Sequence, residues 1–362
     1  MLNCQFTLAT DEASTHTPLS ANFSWSGNGI LGISGPSGGG KTTLLNILAG
    51  FPPENLTQTA LSWDENILHN SAQNNFMTAE KRPISMVFQQ QTLFPHITVK
   101  QNLQFARKHG YRKLPEQQFR ALINSFDLED LLSKSPEQLS GGEKNRVALV
   151  QSLCALPELL LLDEPFSALD SAKQHETIAT LKKCVKRLNI SVILVSHSFH
   201  ELAYMCDEIL FIKQHIVTGP FSDVINQLNI NRYTSNHVEP LTTFLAAKLC
   251  HYHEDEQQAE FEIDGDKVLI SCSHYPEQIE NIEIPAHEVS ILLKPAKGTS
   301  IANCLAVVLS DYQQSGGEIV LTLTLKKQSL YCKITKKSFN QLNLHKGLSL
   351  YAQFKATAIH IF

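Results

Sequence analysis

The chain has 362 residues, of which 43% are hydrophobic, 18% charged and 8% aromatic. At about 150 residues per domain this length predicts two domains or three and excludes a single small module, and the apolar content excludes a disordered chain. Thirty Lys and Arg against 35 Asp and Glu give a formal charge of −5, which excludes a polyanion-coating surface and leaves only local sites for anions.

No apolar run approaches the roughly 18 residues of a membrane span; the longest obvious one, 159–162, has the length of a strand. The start MLNCQFTLATDEAS lacks the basic residues and apolar stretch of a signal peptide, so a cytoplasmic chain is expected, and membrane work needs a partner. Eight cysteines (Cys4, Cys154, Cys184, Cys206, Cys250, Cys272, Cys304, Cys332) are dispersed without a C-x-x-C pair, the usage of reduced packing residues.

Leu19, Ala21, Phe23 and Trp25 alternate and predict a strand, and after Gly27-Asn28-Gly29 a second apolar strand covers 30–34. Gly35-Pro36-Ser37-Gly38-Gly39-Gly40 predicts a loop, and 41–49 a helix closed by Gly50 and stopped by Pro52 and Pro53. From about 90 to 149 the pattern is mostly helical, with breaks at Pro95, Pro115 and Pro136. Residues 159–163 and 191–197 read as buried parallel strands, with a charged helix over 171–188 between them. After about 235 the period becomes that of strands. Ala259, Phe261 and Ile263 precede an Asp264-Gly265-Asp266 turn, and Val268, Ile270 and Cys272 follow it. Further alternating runs start at Leu305, Ile319, Leu330 and Leu348, with turns at Ser315-Gly316-Gly317 and His345-Lys346-Gly347, and together predict a small barrel.

The stretch from Gly35 to Thr42 fits the phosphate-loop pattern G-x-x-x-x-G-K-[ST], and its flanking strand and helix are the context which that pattern requires. Glycines let backbone N–H groups turn toward a triphosphate, and the helix N-terminus adds its positive end. Lys41 can reach the β- and γ-phosphates, and the Thr42 hydroxyl can hold Mg²⁺. The candidate ATP-binding set is Gly35, Pro36, Ser37, Gly38, Gly39, Gly40, Lys41, Thr42 and Thr43. Asp163 and Glu164 end a buried strand with adjacent carboxylates. Their alternate directions suit two tasks, Asp163 toward the Mg²⁺ shell and Glu164 toward a water in line with the γ-phosphate. Taken alone, the pair favours a helix cap or surface carboxylates; the phosphate loop reverses that reading. Leu139-Ser140-Gly141-Gly142-Glu143 opens a helix and offers a second N-terminal anion site.

These motifs, with Gln89 after 85–88, Ser167-Ala168-Leu169-Asp170 and His197, stand in the order and spacing of the ABC transporter ATPase domain. Residues 1–235 resemble that domain, with a helical subdomain at about 90–150. The resemblance implies an α/β P-loop NTPase fold and a head-to-tail homodimer. Each ATP lies between one chain's phosphate loop and the other chain's Ser140, Gly141, Gly142 and Glu143. It also implies Mg²⁺ on Thr42, Gln89 and Asp163, Glu164 as general base, His197 on the γ-phosphate, and Asp170 coupling the two sites. Asn145 and Gln151 stand where relatives usually carry Gln and Arg, and Ser198 where Asp commonly follows the histidine; altered helix contacts are the expected result. Phe6 is the nearest aromatic for stacking on adenine, with core packing as its alternative.

One ATPase domain followed by a β domain resembles the ATP-binding subunits of bacterial importers. Residues 87–99 resemble the importer segment that receives a permease coupling helix, so Leu93, Phe94 and Ile97 read either as core or as docking groove. Residues 295–305 and 347–355 resemble the molybdate-binding-type (TOBE/Mop) barrel. A small all-β, OB-like barrel is therefore expected at 290–362, after a linker and β segment at 236–289. Thr299, Ser300 and Asn303 read as donors to an oxyanion or as ordinary turn and cap residues. The resemblance implies an ATP-hydrolysing importer subunit that uses ATP and Mg²⁺, with molybdate as cargo and as a regulatory ligand. Its implied partners are two integral-membrane permease subunits and, indirectly, a periplasmic oxyanion-binding protein. Peripheral attachment to the cytoplasmic face of the bacterial inner membrane follows, with no nucleic acid partner. Sulfate, tungstate or another small solute is the alternative cargo, and a soluble non-transport ABC ATPase the alternative class. Cys250, His251, His253, Cys272 and His274 carry metal-type ligand atoms, but C-H-x-H and C-x-H do not match a closed zinc pattern, and strand alternation scatters them.

Overall fold

The computed structural model describes residues 1–8, 20–36, 38–89, 93–169, 171–212, 216–220, 224, 241–272, 281–295 and 298–361. Ser37, Asp170 and His274 lie outside the described residues. The chain forms two compact units, Met1–Phe221 and Ser222–Phe362.

In the first unit β1 (Leu2–Leu8), β2 (Ser20–Trp25) and β3 (Ile30–Ser34) lead to α1 (Lys41–Ala49). Then come β4 (Leu56–Trp63), β5 (Asn66–Asn70), β6 (Asn75–Phe76) and β7 (Ile84–Val87). The helical stretch holds α2 (Val99–His109), α3 (Glu116–Ser125) and α4 (Gly141–Cys154). The unit ends with β8 (Leu159–Asp163), α5 (Ser171–Leu188), β9 (Ser191–Val195), α6 (Phe199–Met205), β10 (Glu208–Ile212) and β11 (Ile216–Pro220). Among the described residues, one sheet runs β11-β10-β3-β9-β8-β7, parallel from β10 to β7, and a second, antiparallel sheet runs β2-β1-β4-β5-β6. Leu159 to Asp163 are buried throughout, as a parallel strand covered on both faces requires. Phe6, Trp25, Leu45, Leu48, Leu161 and Ile193 share one core, so α1 is packed between the two sheets. Helix α1 ends at Gly50, where the N–H groups of Gly50 and Phe51 return to the Ile47 and Asn46 carbonyls. The helical breaks at Pro115 and Pro136 fall at the start of α3 and at the start of a short 3₁₀ turn.

The second unit contains β12 (Thr242–Ala246), β13 (Lys248–His253), β14 (Gln258–Ile263), β15 (Asp266–Ser271), β16 (Asn281–Pro285) and β17 (Ser290–Leu292). It continues with β18 (Asn303–Ser315), β19 (Glu318–Thr324), β20 (Ser329–Thr335), α7 (Lys336–Gln341), β21 (Ser349–Phe354) and β22 (His360–Ile361). Among the described residues the strands form three sheets, β12-β16-β22, β13-β14-β15 and β17-β21-β18-β19-β20. Leu245, Phe261, Ile270, Ile282, Leu321 and Phe354 come from all three and share one core. Strands of the 236–289 segment thus help to build the interior around the barrel strands. The β14–β15 hairpin turns through Asp264 and Gly265 at φ 52° and 87°, the left-handed pair of a type I′ turn. Among the described residues no helix is long and apolar enough to cross a membrane.

Candidate active site

The register pairs Ile33 with Val195 and Val195 with Asp163, so β3, β9 and β8 end side by side. Loops leaving the carboxyl ends of such strands form the ligand crevice of an open α/β sheet. At Gly35 a Cβ would stand 2.3 Å from the Ile212 carbonyl oxygen, which restricts the position to glycine. Gly40 is the N-cap of α1, and Lys41 opens the helix. The Lys41 ammonium donates to the Gly35 and Pro36 carbonyls, both at 2.9 Å, and so folds back on the start of the glycine-rich loop. Burial pulls its pKa down, while the charges of Glu164 and Asp163 oppose that shift.

Asp163 is 4% exposed and accepts a hydrogen bond from the Thr42 side chain. Burial raises its pKa, and that hydrogen bond works against the rise. A hard cation needs oxygen donors of this kind, and the paired carboxylate and hydroxyl fit Mg²⁺. Glu164 takes the left-handed conformation at φ 48°, uncommon for a residue with a side chain. Its N–H donates to the Val195 carbonyl at 3.0 Å, and the Ser167 hydroxyl donates to its carbonyl at 3.1 Å. Its carboxylate accepts from Gln89 Nε2 at 3.3 Å and stands 2.9 Å from His197 Nε2. Lys41, Thr42, Gln89, Asp163, Glu164 and His197 are therefore brought together. A carboxylate gripped from two sides at the mouth of a phosphate loop can take a proton from a water.

Ser140 to Glu143 form a second cluster at the start of α4. Glu143 N–H donates to Ser140 Oγ at 3.3 Å, and Ser140 N–H to Glu143 Oε2 at 2.7 Å, a reciprocal capping box. Those bonds hold the Glu143 carboxyl below its usual range. A Cβ on Gly142 would come within 3.1 Å of Leu169 Cδ2, so the glycines let α4 start close against 167–169.

Three side chains have roles that the motifs did not announce. Asn145 is 1% exposed and donates to the Pro165 carbonyl at 2.6 Å, tying α4 to the loop after Glu164. Ser198 caps α6, accepting from Glu201 N–H at 3.3 Å. Asn102 is fully buried and holds the 94–98 loop: it accepts from Phe94 N–H and donates to the Phe94, Ile97 and Thr98 carbonyls. A polar residue at a core-facing helix position was its only sequence signal. Phe94 and Phe105 remain exposed and meet edge to face at 4.9 Å, while Leu93 lines a 180 Å³ hollow with Pro95, Pro136, Glu137 and Lys144. Phe6, at 1% exposure, is a core residue, which removes it as the adenine platform.

Residues 20–167 match the family model described as ABC transporter, and 299–361 that of the TOBE domain. A relative from Salmonella choleraesuis, described as "Molybdenum import ATP-binding protein ModC", is 31% identical over 94% of this chain and 96% of its own length. A relative of the same description from Albidiferax ferrireducens is 33% identical over 94% and 92%. The chain belongs to the ABC transporter ATP-binding family. As an ABC ATPase it binds and hydrolyses ATP. Solved structures share the ATPase fold: an ATP-binding subunit of an ABC transporter has a TM-score of 0.51 at 20% identity, over 63% of this chain and 93% of that one. A dimeric cassette bound to ADP and Pi has a TM-score of 0.50 at 23% identity, over 61% and 99%.

In the TOBE-matched part of the ATPase, Thr299 and Ser300 are exposed, and the Thr299 hydroxyl accepts from Ile301 N–H at 3.1 Å. Asn303 is 2% exposed; its carboxamide accepts from Leu269 N–H at 2.7 Å and donates to the Leu269 carbonyl at 2.8 Å. Both of its ends therefore serve a strand-to-strand bridge. His251 and His253 stack edge to face at 4.5 Å beside exposed Cys250, and among the described residues no group of three His, Cys, Asp or Glu is placed to hold a metal ion.

Proposed function

We propose that this ATPase energises molybdate import through separate membrane permease chains. The reading is carried by one observation: an ATP site and a TOBE-matched β unit lie together on a chain that aligns along nearly its whole length with molybdenum import ATP-binding proteins. Phosphates bind the loop from Gly35 to Gly40, including Pro36, Ser37, Gly38 and Gly39, together with Lys41, Thr42 and Thr43. Mg²⁺ would be held by Thr42, Asp163 and Gln89, where its charge supports the β- and γ-phosphate oxygens. Glu164 is the general base, oriented by Gln89 and by His197, which also faces the γ-phosphate.

The working form is a homodimer in which Ser140, Gly141, Gly142 and Glu143 of one chain complete the other chain's site and Asp170 couples the two. Residues 1–235 act as the ATPase domain, 236–289 lead into the β unit, and 290–362 act as its barrel. Two permease chains dock on the exposed Phe94 and Phe105 face, which holds the protein at the cytoplasmic side of the bacterial inner membrane. A periplasmic oxyanion-binding protein delivers the cargo. Molybdate reaching the cytoplasm restrains the machine through the Thr299 and Ser300 hydroxyls, with Asn303 fixing the strand beneath them.

Uptake of radiolabelled molybdate by cells that express this chain with its permeases and binding protein tests the assignment. Uptake that needs Lys41 and is blocked by excess tungstate but not by excess sulfate is expected. Equal competition by sulfate contradicts molybdate as the cargo, and uptake unaffected by Lys41→Ala contradicts the energising role.

A further inference from the structure

We propose that Glu201 is a positioning residue for hydrolysis: its buried carboxylate ties the segment carrying His197 to the first turns of α5, the helix that begins directly after Asp170. The inference rests on the reading of Glu164 as the base and His197 as its neighbour.

Ser196 links the end of β9 to His197, and its N–H donates to the Ile33 carbonyl at 3.3 Å, beside the root of the phosphate loop. The Ser196 hydroxyl donates to Glu201 Oε2 at 2.5 Å and accepts from Ser198 N–H at 2.9 Å. On the other side, Gln174 Nε2 on α5 donates to Glu201 Oε1. The Glu201 N–H donates to Ser198 Oγ at 3.3 Å, so the same turn is closed from both ends.

Glu201 is 8% exposed. A carboxylate at that depth is costly unless its oxygens are satisfied, and here one donor comes from each of two elements. Moving α5 away from the His197 segment therefore leaves a buried oxygen without its donor. Burial raises the Glu201 pKa, and the bonds from Ser196 and Gln174 oppose that rise, so the ionised form depends on both partners staying in place. His197 lies one residue from Ser196, with its Nε2 2.9 Å from Glu164. A brace that fixes Ser196 fixes the approach of that imidazole, and a misplacement of about 1 Å near reacting groups costs up to about 100-fold in rate. Neither Glu201 nor Gln174 needs to touch ATP for this.

Steady-state ATP hydrolysis by the full chain tests the brace with a swap. Gln174→Glu keeps the shape and, assayed at alkaline pH where the paired carboxyls do not retain a shared proton, replaces the donor with an acceptor; kcat is expected to fall about tenfold while KM for ATP stays within about twofold. Gln174→Met, uncharged and similar in length, is expected to lose as much, which separates the missing donor from the added charge. In Q174E/E201Q the amide and carboxylate exchange places, the bond re-forms with reversed polarity and the new carboxamide oxygen accepts from Ser196. The kcat is then expected to recover to within about threefold of wild type, whereas Q174M/E201Q stays low.

A Q174M or Q174E kcat within about twofold of wild type overturns the proposal, as does a swap no faster than Q174E alone. Glu164→Gln is run alongside. Wild-type hydrolysis no faster than E164Q contradicts Glu164 as the base, a separate failure that also removes the ground for the brace.

Discussion

In Met1–Phe221 the ends of three parallel strands deliver Lys41, Asp163, Glu164 and His197 to one crevice, whereas in Ser222–Phe362 a conspicuous buried polar side chain, Asn303, is consumed in joining β15 to β18. Parallel strands send successive loops to the same end of the sheet, so residues far apart in sequence converge without special arrangement. In the antiparallel unit the Asn303 carboxamide is spent on the Leu269 backbone, while the hydroxyl-bearing residues Thr299 and Ser300 are exposed. The contrast separates a crevice into which charged side chains converge from a unit whose buried carboxamide is spent on structure.

The contrast breaks most severely at the phosphate loop. Lys41→Ala removes the ammonium from among the loop carbonyls and is expected to lower kcat/KM for ATP by roughly 100- to 1,000-fold, read by steady-state hydrolysis, with little change in the thermal stability of the second unit. The converse perturbation is Phe261→Ala. Phe261 is fully buried in the core shared by the three sheets, and its truncation is expected to cost about 3–5 kcal/mol in chemical denaturation while ATP hydrolysis below the transition persists.

Asn303→Ala strips both partners from the Leu269 backbone and is expected to cost about 1–3 kcal/mol by the same measurement. If Asn303 instead contacted an oxyanion, the variant would lose molybdate-induced stabilisation and keep its stability. The smallest expected change is at Glu116. Hydrogen bonds from Arg107 and Arg120 hold its carboxyl below the ordinary range. A carboxyl with a depressed folded-state pKa contributes stability above its unfolded pKa and loses it as pH falls through the folded value. Glu116→Gln therefore lowers Tm slightly at neutral pH, and the difference disappears in acid.

Much of the first unit was legible because its signals are local. The apolar runs of β3, β8 and β9, the glycine loop, and the helix over 171–188 each announce themselves within a short window. The sheet holding β1 and β4 to β6 was not read. In β4, Thr57 and Gln58 are both exposed and only part of LTQTALSW alternates, while β6 is a two-residue strand. In β13 a register shift between Leu249 and His251 breaks the period of two, so the segment lacks a clean buried face. At the site, the motif residues were visible because each sits at or just after the end of a strand or at the first turn of a helix, within a short run of characteristic residues. The side chains that hold them were not. Asn145 reaches Pro165 across 20 residues and Gln174 reaches Glu201 across 27, distances over which no periodicity speaks. For Asn303 the sequence leaves open a ligand donor or an ordinary turn or cap residue, since a loop-side Asn suits either, and only the pairing with Leu269 shows that its carboxamide is already engaged.

The central claim is that the Glu164 carboxylate, gripped between Gln89 and His197, is the base that makes this chain an ATPase. Single-turnover hydrolysis of bound ATP by Glu164→Gln tests it most directly. ATP binding is expected to survive, with the chemical step slowed by roughly 100- to 10,000-fold, so that intact ATP is recovered from the protein. Hydrolysis at a rate close to wild type would contradict the account.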